Sequence, residues 1–202
     1  MVLRYAPTFG LARGASQRFP RRVRWERLRS VKRGSRAIPP ANSMREVVLH
    51  TPRLRLAVET TEATLARIEA MSPEDRAQVS PDWLARLRTS VPSPWTHGFA
   101  MEERATGAAV GACAFKGPPD ADGAVEIAYG VDPAFQGRGY AKEAAAALVQ
   151  FALQDERVRI VRAHTLPENG PSGSVLTANG FQCLGEVIDP EDGLVLRWEL
   201  RR

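Results

Sequence analysis

Residues 131–144 read "VDPAFQGRGYAKEA", and the fold turns on how that stretch is understood. A strand ending near Val131 meets Asp132–Pro133. Gly137 and Gly139 then flank Arg138, and an alanine-rich helix follows. Glycine lets the backbone approach a ligand closely, and the first amides of a helix have no partner within it. Together they aim N–H groups at one point, where the helix dipole favours an anion and Arg138 adds positive charge. The stretch is either a phosphate cradle or a tight strand-to-helix turn without a ligand, and spacing alone leaves both open. Two nucleotide folds are disfavoured. A Walker loop needs Lys then Ser/Thr after its last glycine, where this chain has Tyr140 and Ala141. A dinucleotide fingerprint needs a third glycine at 142, where Lys142 stands, and it belongs in a parallel βαβ unit.

Outward from the loop, the pattern predicts a run of short elements. "AVEIAYGV" (124–131), "AAVGACAF" (108–115) and "GFAMEE" (98–103) precede it as three strands, and the turns between them suggest an antiparallel meander. "RLRLAV" (53–58) alternates as a strand. Two helices follow it, one capped by Thr60 with Leu65, Ile68 and Met71 on one face, the other opening at Ser80–Pro81. The helix after the loop carries Ala141, Ala144, Leu148, Phe151 and Ala152 on one apolar face. "VRIVRAHT" (158–165) is a strand, "ENGPSGSVLTANGF" a short helix ended by Asn179–Gly180, and "FQCLGEVI" with "LVLRWEL" a closing hairpin around "DPEDG" (189–193). The order is β-α-α-β-β-β-α-β-α-β-β, an α/β (α+β) arrangement with a mostly antiparallel central sheet flanked by helices.

Charge divides the chain. Its net +5 arises because residues 1–43 carry eleven Arg/Lys against one acid, whereas residues 44–202 carry seventeen against twenty-two. The basic 1–43 segment is expected to be a disordered extension ahead of a 44–202 domain. Three readings of it stay open: a basic binding arm, a transit peptide, or an upstream start with Met44 the true beginning. Nucleic acid is not expected as a partner of the folded domain, and no apolar run is long enough for a bilayer. Cys113 and Cys183 are expected to be reduced core residues of a cytoplasmic protein. No His/Cys/Asp cluster has metal-ligand spacing, so no metal is expected.

Three segments in this order resemble the GNAT superfamily of acetyl-CoA-dependent N-acetyltransferases. "QGRGYA" (136–141) fits the Q/R-x-x-G-x-G/A signature, "PENGPSGSVLTANGF" (167–181) resembles the P-E-N-x-x-S-x-x-V-L-x-x-x-G-F segment, and "VEIAYGVDP" (125–133) looks like the strand before the loop. The similarity covers about residues 51–200 and is greatest to the branch that includes ribosomal-protein N-terminal acetyltransferases. It implies that Gln136, Gly137, Arg138, Gly139, Tyr140 and Ala141 bind the coenzyme A pyrophosphate. It further implies that Val131 meets the pantetheine arm through its main chain, and that Asn169 and Ser172 flank the thioester. Pro171 departs from the small residue usual before Ser172, a change that a helix's first turn tolerates.

Acetyl transfer to an amine needs a neutral amine, donors for an oxyanion and a proton for the departing thiolate. Glu126 is the candidate base. Alternation sets it on one strand face with Ala128 and Gly130, opposite Val125, Ile127, Tyr129 and Val131. Its bland alternative is a glutamate paired with Lys116 or His164. The tyrosine that many members use as proton donor is replaced by Leu176, so Ser172 is the expected donor, with Tyr140 and Tyr129 behind it. His164 reads as structural, Trp198 as core, and His97 and Trp95 as either acceptor-pocket or packing residues. The acceptor is expected to be a small-molecule amine or a protein N-terminus. A cationic acceptor would suit Glu59, Glu62, Glu69, Glu74, Asp75, Asp82, Asp189, Glu191 and Asp192, which also read as a solvated face. A homodimer is compatible with the chain. A non-catalytic acyl-CoA-binding module is the rival from another class.

Overall fold

The computed structural model describes residues 47–202 apart from 71, 72, 77, 78 and 191. The expectations for residues 1–43 and Met44, for Met71 and for Glu191 lie outside the described residues, as do the side chains of Glu74, Asp75 and Asp82. Among the described residues, eight strands form a single sheet in the order β1-β2-β3-β4-β5-β6-β8-β7. They are β1 (Val48–His50), β2 (Leu54–Val58), β3 (Phe99–Glu103), β4 (Ala109–Phe115), β5 (Ala124–Val131), β6 (Ile160–Thr165), β7 (Gln182–Asp189) and β8 (Gly193–Arg201). The helices are α1 (Thr61–Glu69), α2 (Pro73–Arg76), α3 (Pro81–Thr89), α4 (Tyr140–Ala152) and α5 (Gly170–Ala178).

Every neighbouring pair is antiparallel except β5 and β6, which run parallel. A parallel pair needs a crossover, and the loop with α4 supplies it. The meander β3-β4-β5 is as the turn signals predict. β1 and α2 are additional to the expected order. At three and four residues, each is too short to carry a periodicity.

The core lies between the sheet and α4. Ala144, Leu148 and Ala152 are fully buried, and they meet Leu54, Leu56, Phe99, Met101, Val125, Ile127 and Val161. The expected apolar face of the helix is therefore the one that docks. Trp95 belongs to this packing, with its ring 4.7 Å from that of Phe115 and 5.4 Å from that of Phe151. A second cluster, Ile68, Val79, Trp83 and Leu87, holds α1 and α3 together. The caps foreseen at Thr60 and Ser80 are present: Thr60 accepts from the Ala63 amide and Ser80 from the Trp83 amide. One expectation is corrected. Cys113 is buried, but Cys183 is exposed, because β7 is the edge strand and its outward row faces solvent.

Candidate active site

The parallel ladder between β5 and β6 has three rungs, Ala124↔Ile160, Val125↔Val161 and Glu126↔Arg162. Beyond Glu126, β5 continues to Val131 paired only with β4, and β6 continues to Thr165 paired only with β8. The two strands therefore part immediately after Glu126. A cleft opens in the middle of the sheet, lined by main chain from both sides.

At the far end of β5 stands the glycine loop. A single 3-10 turn (Pro133–Phe135) leads into it, and Gln136 Nε2 donates back to the Val131 carbonyl at 3.0 Å. Gly137 and Gly139 have φ of 74° and 83°, the left-handed region that glycine adopts without strain. Gly139 caps α4 and gives its first-turn amides no side-chain partner. A Cβ on Gly137 would meet nothing within 4 Å. The loop thus offers open space at Gly137 and first-turn amides without a side-chain cap, a geometry that an anion such as a pyrophosphate fits.

What fixes this loop was not foreseen. Glu143, on the first turn of α4, accepts from the Arg53 amide at 2.7 Å, from Arg53 Nε at 2.8 Å and from the Thr51 hydroxyl. Arg53 Nη1 donates to the Arg138 carbonyl at 2.8 Å, and its guanidinium lies 4.9 Å from the Tyr140 ring centre. Burial works to raise the Glu143 carboxyl, but Thr51 and Arg53 outweigh it and hold it below its ordinary value. Arg53 and Glu143 are ninety residues apart, so no local signal announces the pair. Arg138 turns back on the loop instead, donating to the Ala134 carbonyl at 3.0 Å. Tyr140 donates its hydroxyl to Glu103.

On the opposite side of the cleft, α5 begins with Asn169, whose side chain accepts from the Ser172 amide at 3.3 Å. The Tyr129 hydroxyl reaches the Ser172 carbonyl at 3.4 Å, so the strand and the helix meet there. Burial pushes the Tyr129 hydroxyl well above its usual pKa. Leu176 is buried in the core, and Trp198 packs under α5, donating to Thr165 Oγ1 at 3.1 Å. Val131, Asn169 and Ser172 therefore border the cleft from its two sides.

Glu126 occupies the last rung before the strands part, and it has both of the partners that sequence offered as its bland alternative. Lys116 Nζ is 2.6 Å from Oε1, and His164 Nδ1 is 3.2 Å from the same oxygen. Burial works to raise the carboxyl, but His164 and Lys116 outweigh it and hold it below the ordinary carboxylate value. Its carboxyl is ionised at neutral pH, and both of these contacts fall on Oε1.

The other candidates separate cleanly. His97 is fully buried between the hydroxyls of Thr61, at 3.0 Å, and Thr96, at 2.9 Å, so its role is packing. Glu59 is tied to Arg67 at 2.8 Å. A Cβ placed on Gly98 would touch both Glu59 and Ala114, and Ala114 pairs with Ala128. Glu59 therefore lies over the Glu126 face of the sheet, but its charge is matched. Asp189 and Asp192, by contrast, come to the Glu126 cluster itself.

Comparison with known proteins gives a consistent picture. A family profile described as an acetyltransferase (GNAT) domain matches residues 45–182. A curated relative, the uncharacterized N-acetyltransferase p20 of Bacillus licheniformis, is 29% identical over 93 residues. That match takes in 46% of this chain and 52% of the relative, so the chain spans about half the length of the curated relative it matches. Among solved structures, an acetyltransferase from Agrobacterium tumefaciens superposes with a TM-score of 0.59 at 22% identity, covering 79% of this chain and 97% of that one. The ribosomal-protein-S5-alanine acetyltransferase from Vibrio fischeri gives 0.57 at 14% identity, over 77% and 97%. The aminoglycoside acetyltransferase AAC(6')-Ib in complex with coenzyme A gives 0.56 at 17% identity, over 74% and 95%.

Proposed function

Because this chain belongs to the GNAT acetyltransferase family, we propose that it is an N-acetyltransferase that moves an acetyl group from acetyl-CoA to a primary amine. The observation that carries this reading is the parting of β5 and β6 immediately beyond Glu126. The phosphate-type loop lies at the end of the same strand. Acetyl-CoA supplies the acetyl group as a thioester. Residues 136–141 with the free amides of α4 hold its pyrophosphate, and the cleft beside Val131 takes the pantetheine arm. Asn169 and Ser172 flank the sulfur end.

Glu126, on the last rung before the strands part, accepts the amine's proton, directly or through a water molecule. Its lowered pKa makes it a weak base toward a free ammonium near pKa ~10. A nitrogen forming its bond to carbon is far more acidic, and a carboxylate is sufficient then. Ser172 returns a proton to the departing sulfur, with the Tyr129 hydroxyl second in line. The acceptor is a primary amine, either a small molecule or a protein N-terminus. The structural neighbours named for both kinds are alike in fold only.

The Arg53–Glu143 pair gives this reading a test outside the chemistry. Arg53→Ala removes the strut under the Arg138 carbonyl while leaving Glu126 untouched. The expected result is a KM for acetyl-CoA raised about tenfold, the worth of one charge-assisted hydrogen bond, with kcat within about twofold. Steady-state kinetics with acetyl-CoA varied would show it. An unchanged KM would place the pyrophosphate elsewhere.

A further inference from the structure

We infer that Glu126 and Asp192 form a binding site for a primary ammonium group, that the chain's own Lys116 fills it in this structure, and that an acceptor ammonium enters by taking its place. Lys116 follows β4 directly. Its Nζ lies 2.6 Å from Glu126 Oε1 and 3.5 Å from Asp192 Oδ2, with the Asp192 side chain 3% exposed. Burial disfavours the charged amine, yet the carboxylates of Glu126, Asp192 and Asp189 hold it above its ordinary value, so it sits there as an ammonium.

A second observation points the same way. The His164 side chain is 4% exposed, and its Nδ1 faces Glu126 Oε1 at 3.2 Å and Asp189 Oδ2 at 4.0 Å without an aligned hydrogen-bond partner. On its other edge Nε2 accepts from Arg197 Nε at 3.4 Å. A guanidinium only donates, so Nε2 keeps its lone pair and Nδ1 carries the proton. The imidazole forms a wall of the site, with its Nδ1–H turned toward the carboxylates.

The groups facing Glu126 can be taken element by element. Lys116 comes from the end of β4, Arg162 and His164 from β6, Asp189 from β7, Asp192 from the turn after it, and Arg197 from β8. Arg162 is engaged with Glu199 at 3.2 Å, and Arg197 is directed at His164. Lys116 therefore supplies the cation that three carboxylates surround. Its side chain is a third exposed, so it can swing out to solvent when another ammonium arrives. The site selects a protonated primary amine over a neutral or bulky one, and Lys116 acts as an internal competitor. The identity of the guest as an acetyl acceptor rests on the proposed function; the ammonium site itself does not.

The end of the lysine side chain is n-butylammonium in miniature, which makes that ion the probe. Lys116→Ala in the full 202-residue chain vacates the site. The expected result is that n-butylammonium chloride binds the variant at least about tenfold more tightly than it binds the parent chain, by calorimetry or by thermal stabilisation. Neutral n-butanol is expected to show no such gain, and adding Glu126→Gln to remove it. Equal affinity in parent and variant, or an equal gain with n-butanol, would overturn the inference. Should Lys116→Ala fail to fold, Lys116→Ser gives the same comparison. The readout is binding rather than coenzyme A release, so a silent Glu126 in turnover would refute the base assignment and leave this result standing.

Discussion

Glu126→Gln is expected to lower kcat by about 10²–10⁴-fold, the range that general base catalysis supplies, while the Kd for acetyl-CoA stays within about twofold. The amide matches the carboxylate in size, so the β5–β6 rung with Arg162 has no steric reason to move. What disappears is the proposed proton acceptor at the point where the strands part. Lys116 retains Asp192 at 3.5 Å, which limits the structural damage. Affinity for the cofactor is spared because its expected contacts are the free amides of α4, Val131 and the start of α5, none of which touches Glu126.

The pH dependence follows from the sign of the shift. Glu126 is held below its ordinary value in the folded protein. Its stabilising contribution is therefore complete above the unfolded carboxylate pKa and is lost only as pH falls through the lowered folded value. Activity that declines from alkaline toward neutral pH would report protonation of the amine, not of Glu126. In Glu126→Gln the acid limb belonging to the carboxylate is absent. Unchanged turnover in this variant would leave the pairing with Lys116 and His164 as the residue's whole role.

Gly111→Ala is expected to be the most damaging small substitution in the sheet, costing about 3–5 kcal/mol. Gly111 lies on β4 opposite Val131 and has φ of 150°. A Cβ there would stand 2.1 Å from the Gly130 carbonyl oxygen and 3.0 Å from Val131 Cα. Both obstacles are backbone, and no rotamer change relieves them. The strand that must give way is β5 where it runs into the glycine loop. Stability and the cleft should therefore fail together, seen as a fallen urea midpoint. Gly107→Ala is the control. That glycine has φ of 73° but nothing within 4 Å of a Cβ, so it carries only the left-handed penalty of about 1–2 kcal/mol. Equal midpoints for the two variants would contradict the close approach of β4 and β5.

β5 was legible to its ends because its alternation is regular and turn residues bound it on both sides. α4 was legible from alanine propensity and the glycines before it. The short elements β1 and α2 were not, since neither is long enough to show a period. Cys183 misled because a cysteine with no disulfide or ligand-like spacing reads as core, whereas edge position is a property of strand order and not of the strand. At the site, Glu126 and both its partners were legible, because a carboxylate on an apolar strand calls for a partner. The arrival of Asp192 and Arg197 was not, since it depends on β8 pairing with β6. The Arg53–Glu143 strut was invisible because its two members are ninety residues apart and no local pattern joins them.

The most direct test of amine acetylation is release of free coenzyme A thiol from acetyl-CoA by the full chain, across a panel of primary amines and peptides with free N-termini. The expected result is release that depends on at least one amine, saturates with it and falls with Glu126→Gln. Binding of acetyl-CoA with no release to any amine would contradict it and favour a non-catalytic acyl-CoA-binding module.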